Sequence, residues 1–175
     1  MSVKIGIVTI SDRASRGEYE DKSGPAIKAW LDDVISSEWH AESRVIEDGV
    51  DTVEACLKDL CDNVGVDLVL TTGGTGPSPR DLTPEAMARV MEKELLGFGE
   101  LMRKVSLEQV PTAILSRQTA GIRGKTLIIN VPGKPAAIDV CLSAVFPAVP
   151  YCLDLIGAGR IETEGSKIDS FRPKK

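Results

Sequence analysis

Histidine is almost missing from this 175-residue chain, His40 being the single one. It sits beside Trp39 between two predicted elements, a surface or helix-end position, so a Ser/His/Asp nucleophile set has no base to draw on. A basic excess is missing too. The net charge is −5, with no Lys/Arg cluster to release counterions from nucleic acid, which excludes nucleic acid as the main partner. No apolar run approaches the roughly 18 residues of a membrane span. The opening Met1-Ser2-Val3-Lys4 and the short run Ile5 to Ile10 turn polar too quickly for a signal peptide. None of the four cysteines forms Cys-x-x-Cys, so neither zinc nor a disulfide framework is indicated, and the thiols read as core filler. Cytoplasm is the expected compartment. Without repeats, low-complexity stretches or a linker, residues 1–175 are expected to form a single domain, with a polar tail from about 157 that is partly mobile surface or a subunit-contact arm.

What is present alternates. Apolar runs at Ile5 to Ile10, Ser43 to Ile46, Val66 to Leu70, Thr112 to Leu115 and Thr126 to Asn130 predict strands. Between them, Ile27, Trp30, Leu31, Val34 and Ile35, and then Val53, Cys56, Leu57, Leu60 and Cys61, repeat with helical spacing. Asp51 and Glu54 form a capping pattern for the second of these helices. Thr83 to Glu94, Gly97 to Glu108 and a stretch around Ile138 to Val145 complete the helices, the last interrupted by Pro147 and Pro150. Strands apolar on both faces and separated by helices predict an α/β fold, a mostly parallel sheet covered on both sides.

One loop stands out. Thr71-Thr72-Gly73-Gly74-Thr75-Gly76-Pro77-Ser78-Pro79-Arg80-Asp81 follows the third strand, and Thr83-Pro84-Glu85 then starts a helix with Thr83 as N-cap. Strand, glycine loop and helix start make a phosphate cradle, in which threonine hydroxyls and backbone N–H groups point at phosphate oxygens. The loop lacks the Gly-Lys-Ser/Thr of a Walker A and the spacing of a dinucleotide fingerprint.

In open α/β sheets ligands bind beyond the carboxyl ends of the strands. Ser11-Asp12-Arg13, Glu47-Asp48-Gly49, the loop from Thr71 to Asp81, Ser116-Arg117, and Asn130 to Pro135 with Pro132, Gly133 and Lys134, are predicted to share that edge. Carboxylates, cations and small residues around a phosphate cradle suit an anionic ligand with a divalent cation. Chemistry that needs no histidine, phosphoryl or nucleotidyl transfer, fits this set.

Five ordered blocks carry a resemblance: Ile7 to Arg13, Thr71 to Gly76 with Arg80-Asp81 and Thr83 to Glu85, Gly97 to Arg103, Ala113 to Arg117, and Asn130 to Pro135. Over residues 4 to about 155 the chain resembles the molybdopterin adenylyltransferase family of molybdenum cofactor biosynthesis, its MogA branch above all. The resemblance implies a three-layer α/β/α molybdopterin-binding fold, a homotrimer, and transfer of AMP from Mg-ATP to the terminal phosphate of molybdopterin with release of pyrophosphate. It also implies that Asp48 and Asp81 correspond to the family's two functionally important aspartates and Thr71 to Gly76 to its phosphate-binding segment. On that reading Asp81 holds Mg2+, and Asp48 either shares it or fixes the attacking phosphate. Ser11, Asp12 and Arg13 then line the nucleotide or pterin side, and Ser116, Arg117 and Lys134 offer hydrogen bonds and positive charge to the second anion. Arg80, Pro132 and Gly133 join the substrate-binding set, Pro132-Gly133 reading equally well as a turn that tightens the last loop. A molybdenum-insertion enzyme is the partner to test for as recipient of the product. Two alternatives stay open: a MoaB-like relative of different activity, and a non-catalytic pterin-binding module, against which the paired carboxylates speak, since they would repel an anion without a cation.

Overall fold

The computed structural model describes residues 2–174. Its centre is a six-stranded sheet of β1 (Val3–Ile10), β2 (Trp39–Ile46), β3 (Leu68–Thr72), β4 (Lys93–Glu94), β5 (Ala120–Arg123) and β6 (Thr126–Val131), in the order β2-β1-β3-β6-β5-β4. The first four strands in that order run parallel, and β5 and β4 close the sheet antiparallel. The helices are α1 (Asp12–Ser15), α2 (Ser23–Val34), α3 (Val50–Lys58), α4 (Thr83–Val90), α5 (Leu96–Leu107), α6 (Pro135–Val145) and α7 (Val149–Ile156).

Alternation along the strands divides the core into two layers. Ile5 and Ile7 of β1, Leu68 and Leu70 of β3, and Leu127, Ile129 and Val131 of β6 face a layer with Ile27 and Leu31 of α2, Met102 of α5, and Ile138 and Leu142 of α6. Val8, Ile10, Val69 and Ile128 point the other way, onto Val53 and Leu57 of α3 and Ala86, Met87 and Val90 of α4. Strands buried on both faces need β-branched and leucine runs, which is why these segments lack the polar alternation of the edge strand β2. The three-layer α/β/α fold expected from the sequence is the one observed.

Several local expectations fail for identifiable reasons. Thr112 to Leu115 is not a strand but part of a 3-10 turn, Pro111–Leu115, with Ile114 and Leu115 exposed. The strand that occupies the corresponding place in the sheet is β5, whose glycine had masked it, joined to β6 by a tight turn through Gly124 and Lys125. The helix from Thr83 stops at Val90, and Lys93–Glu94 pairs with β5 instead. Thr83 is the first helical residue behind Leu82 as N-cap, and its hydroxyl donates to Gly73 O (3.0 Å). Asp51 and Glu54 form no capping box: Gly49 is the N-cap of α3, and both carboxylates accept from Arg89 Nη1, at 3.0 and 3.2 Å. His40 lies in β2 and is exposed.

The tail is docked rather than loose. Ile161 and Ile168 are buried, Thr163 bridges Ile35, and Arg172 donates to both Asp154 and Ile161 O. The helical stretch Pro135–Ile156, 22 residues with mean hydropathy 1.7, has the length and composition of a span. Its apolar side chains Ile138, Cys141, Leu142, Val145, Phe146, Val149 and Leu153 instead pack into the core beside β6. A 3-10 turn at Phe146–Ala148, where Pro147 lacks an N–H, divides it.

Candidate active site

The chain leaves β1 toward β2 on one side and returns through β3 on the other, so the crossover direction reverses between β1 and β3. A crevice opens there at the strands' carboxyl ends, where this class of sheet binds ligands. Gly73 and Gly74 make the crevice possible. Both have positive φ (102° and 67°), and a Cβ on them would stand 2.3 Å from Ile10 O and 2.3 Å from Thr83 Oγ1, respectively. Only a backbone without side chains can pass so close to β1 and to the start of α4.

A recess of about 340 Å3 at this point is lined by Ile10, Ser11, Asp12, Arg13, Asp48, Gly74, Arg80 and Asp81. Asp12 and Asp48 lock the loops after β1 and β2 together: Asp48 N donates to Asp12 Oδ1 (3.0 Å) and Asp12 N to Asp48 Oδ2 (3.1 Å). Burial pushes the Asp48 carboxyl above its usual range, and the charges of Asp12 and Asp81 add to the effect, while Asp12 N–H and Arg80 oppose it. Asp81 Oδ2 accepts from Ser78 N (3.1 Å) and Ser78 Oγ (2.6 Å), which ties the far end of the glycine loop into a turn. Oδ1 of Asp48 and Oδ1 of Asp81 accept no hydrogen bond among the described residues.

Two expected phosphate ligands are committed elsewhere. Thr71 Oγ1 accepts from Asn130 Nδ2 (2.9 Å), and Thr72 Oγ1 donates to Pro132 O (2.9 Å), so these hydroxyls knit β3 to β6 and its loop rather than facing a ligand. The buried Thr75 stays with the loop wall, its carbonyl accepting from Arg117 N (2.7 Å). The N–H groups of Gly74, Thr75 and Gly76 make no hydrogen bond among the described residues, leaving successive donors for an anion. Ser11 Oγ caps α1 by accepting from Ala14 N (3.2 Å). Arg13 lies over the Tyr19 ring, 5.2 Å from its centroid.

Ser116, Pro132 and Lys134 belong to a different cavity. With Ser106, Val110 and Gln118 they line a groove of about 250 Å3 between α5, the 3-10 turn and α6. The loop after β6 divides the two regions. Gly133 faces a small pocket of about 60 Å3 beside Ser11, Thr72 and Gly73, and its neighbours Pro132 and Lys134 face the groove. The five loops therefore do not form one ring. The loops after β1, β2 and β3 build the recess, and Ser116-Arg117 approaches from a 3-10 turn instead of a strand end.

Gln118 was not anticipated. It is buried, Ser116 Oγ pairs with its Oε1, and its Nε2 has no hydrogen-bond partner among the described residues. A lone glutamine after a serine and an arginine carries no sequence signal of its own; only burial beside a groove exposes it.

Known proteins resemble the chain over most of its length. Residues 6–151 match the family described as "Probable molybdopterin binding domain". A molybdopterin adenylyltransferase of Helicobacter pylori strain J99 is 52% identical over 174 residues, covering 99% of each chain. That of Escherichia coli K12 is 44% identical, with 99% of this chain and 95% of the relative covered. The crystal structure of the molybdopterin biosynthesis enzyme MoaB from Thermus thermophilus superposes with a TM-score of 0.80 at 38% identity, covering 91% of this chain and 99% of that one. The chain belongs to the molybdopterin-binding family of molybdenum cofactor biosynthesis, among the molybdopterin adenylyltransferases.

Proposed function

We propose that the protein is a molybdopterin adenylyltransferase that transfers AMP from ATP to the terminal phosphate of molybdopterin. A phosphate oxygen of the pterin attacks the α-phosphorus of ATP, a new P–O bond forms, and the bond to the bridging oxygen breaks as pyrophosphate leaves. The phosphate monoester is already an anionic nucleophile near neutral pH, so no histidine is required. Positioning and charge neutralisation do the work. The recess carries this reading: two half-buried carboxylates, Asp48 and Asp81, stand with Arg13 and Arg80 beside three glycine-loop N–H groups that have no partner among the described residues.

The loop N–H groups of Gly74 to Gly76, with Arg13 and Arg80, bind the phosphate chain and oppose the charge that builds on the leaving pyrophosphate. Asp12 fixes Asp48 through their reciprocal hydrogen bonds. Mg2+ fits the donors present. Asp48 and Asp81 each keep one oxygen without a protein donor among the described residues, and burial together with the charges of Asp12 and Asp81 raises the Asp48 carboxyl. Among the described residues no three His, Cys, Asp or Glu groups gather to cage a metal. A site of two carboxylates completed by phosphate oxygens and water is the kind Mg2+ favours. When bound, it would neutralise phosphate charge between Asp48 and Asp81. The groove takes the second ligand: Lys134 at its edge offers a cation, and Gln118 Nε2 a donor for a ring carbonyl or ring nitrogen.

Pyrophosphate release from Mg-ATP, measured with and without molybdopterin and alongside detection of the adenylylated pterin, tests the reaction. Release that depends on the pterin and yields that product is expected. Tight pterin binding without release would favour a binding module. The similarity to MoaB keeps a relative of different activity as the second reading, and the same assay decides it.

Oligomeric state, compartment and a downstream partner belong to the same proposal. A homotrimer would cover exposed apolar side chains such as Leu96, Leu101, Val110 and Ile114, and light scattering gives the mass directly. Four unpaired thiols suit a reducing, cytoplasmic compartment. Transfer of the product to a molybdenum-insertion enzyme would be seen as slower loss of adenylylated pterin to a chase when both proteins are present.

A further inference from the structure

Arg117 commits four of its five N–H donors inside the protein. Nε donates to Gly76 O (2.9 Å), Nη2 to Asp81 O (2.7 Å) and to Glu85 Oε1 (2.8 Å), and Nη1 to Glu85 Oε2 (2.8 Å). Its charge is met as well: the bidentate pair holds the Glu85 carboxyl below its usual range. A cation so engaged has little to offer an incoming anion, which moves Arg117 away from the ligand-binding part suggested by its place in the sequence.

Its contacts fall on one mechanical element. Gly76 and Asp81 bracket the outer turn of the glycine loop, and Glu85 lies in the first turn of α4 directly behind it. The Arg117 N–H reaches Thr75 O (2.7 Å), so the same residue grips the loop through its backbone. From the opposite side, Arg103 Nη1 donates to Gln118 O (2.7 Å) and anchors the strap to α5. Ser116 and Gln118, on either side of Arg117, line the groove. One three-residue strap therefore touches the groove with its outer residues and the loop that carries Asp81 with its middle one.

We propose that Arg117 and Glu85 are positioning residues, a clamp that sets where Asp81 and the Gly76 carbonyl stand relative to Asp48 and so governs the rate of adenylyl transfer. The proposal rests on the adenylyltransferase reading for its kinetic part. The pair is too exposed, at 39% and 41% of the two side chains, to be a main source of stability. Lysine in place of Arg117 keeps a positive charge and loses the planar fork that reaches two carbonyls and a carboxylate at once.

The test uses the full chain with Arg117→Lys and Glu85→Gln, in two measurements. In steady-state transfer with Mg-ATP and molybdopterin, Arg117→Lys should lower kcat by about 10²-fold, the scale of a small misplacement of reacting groups. Glu85→Gln should lower it by about tenfold, with KM for either ligand within about threefold of the parent in both variants. Amide hydrogen exchange without any ligand should show faster exchange over residues 74–82 in Arg117→Lys, and unchanged exchange in the core strands. A raised KM for molybdopterin at unchanged kcat would make Arg117 a ligand and overturn the clamp. Unchanged exchange in the loop would overturn it as well. Should the parent protein show no transfer, the adenylyltransferase reading fails on that result, and the exchange measurement still decides whether the clamp holds the loop.

Discussion

The recess at the β1–β3 crevice and the groove between α5 and α6 lie on two sides of the loop 132–134, yet they are built by opposite means. In the recess, chain geometry comes first: glycines with positive φ at 73 and 74, and a reciprocal bond between Asp12 and Asp48, leave a polar floor with unsatisfied N–H donors. The groove is a gap between helices, walled by Val110, Ala113, Ala136, Ala137 and Val140, with Ser106, Gln109, Thr112, Ser116, Gln118 and Lys134 as its polar residues. The difference matches a division of work in the proposed reaction. A backbone cradle recognises phosphate in any nucleotide or pterin phosphate, whereas a shaped apolar slot with one buried amide is suited to telling one heterocycle from another.

Substitutions that act in one region and spare the other sharpen this division, and the largest effect belongs to the recess. Asp81→Asn keeps the acceptor for Ser78 and removes the charge, so the fold should persist while turnover falls by about 10²–10³-fold, as measured by pyrophosphate release. Near-normal turnover would remove Asp81 from the chemistry. Gly74→Ala comes next: strain of about 1–3 kcal/mol at a left-handed position should lower the unfolding midpoint, and the Cβ against Thr83 should cost more than about tenfold in kcat. An unchanged midpoint would mean that the loop adapts.

The groove should answer differently. Ala137→Leu places bulk among its lining residues and should raise KM for molybdopterin by about tenfold while leaving KM for ATP in place. Equal changes for both ligands would erase the distinction between the two cavities.

The smallest effect is thermodynamic. The Asp48 carboxyl is held above its ordinary range when folded, so the folded protein takes up that proton more readily than the unfolded chain does. Its stabilising contribution is complete below the ordinary carboxylate range and is lost as pH rises through the raised value. Asp48→Asn should therefore melt slightly higher than the parent at neutral pH, with the advantage shrinking in acid, even as activity is lost. Mg-ATP should raise the parent midpoint more than that of Asp48→Asn, seen by differential scanning fluorimetry. A lower midpoint for the variant at neutral pH would contradict the electrostatic account.

The parallel half of the fold was legible because its signals are physical necessities. Ile5 to Ile10 and Val66 to Leu70 are apolar on both faces since both faces are covered, and the helices beside them repeat at helical spacing. The antiparallel edge was not. β5 carries a glycine and an arginine, and β4 is two charged residues, so neither has a pattern apart from its partner strand. Thr112 to Leu115 shows the converse: β-branched residues suggested a strand, but Pro111 and the lack of a neighbour left a 3-10 turn. For the site, it was legible that Ser11 to Arg13, Asp48, Gly74, Arg80 and Asp81 come together, because they follow adjoining parallel strands, and they line one recess. The sequence could not separate Ser116 and Lys134 from them, or show that the Thr71 and Thr72 hydroxyls and the Arg117 guanidinium are already engaged, since those partners lie tens of residues away.

The pairing of β3 has a consequence for how the protein comes into being. On one side its residues 68–72 lie against β1, which leaves the ribosome early; on the other they lie against residues 127–131 of β6. Until those late residues emerge, the strand that carries the glycine loop has a bare edge, and Thr71 and Thr72 lack Asn130 and Pro132. A nascent chain can thus join β1 to β2, and Asp12 to Asp48, well before it owns a rigid loop. Nucleotide binding on stalled chains should switch on only once β6 has cleared the exit tunnel, which makes strand six the point in synthesis at which a folding chain becomes an enzyme.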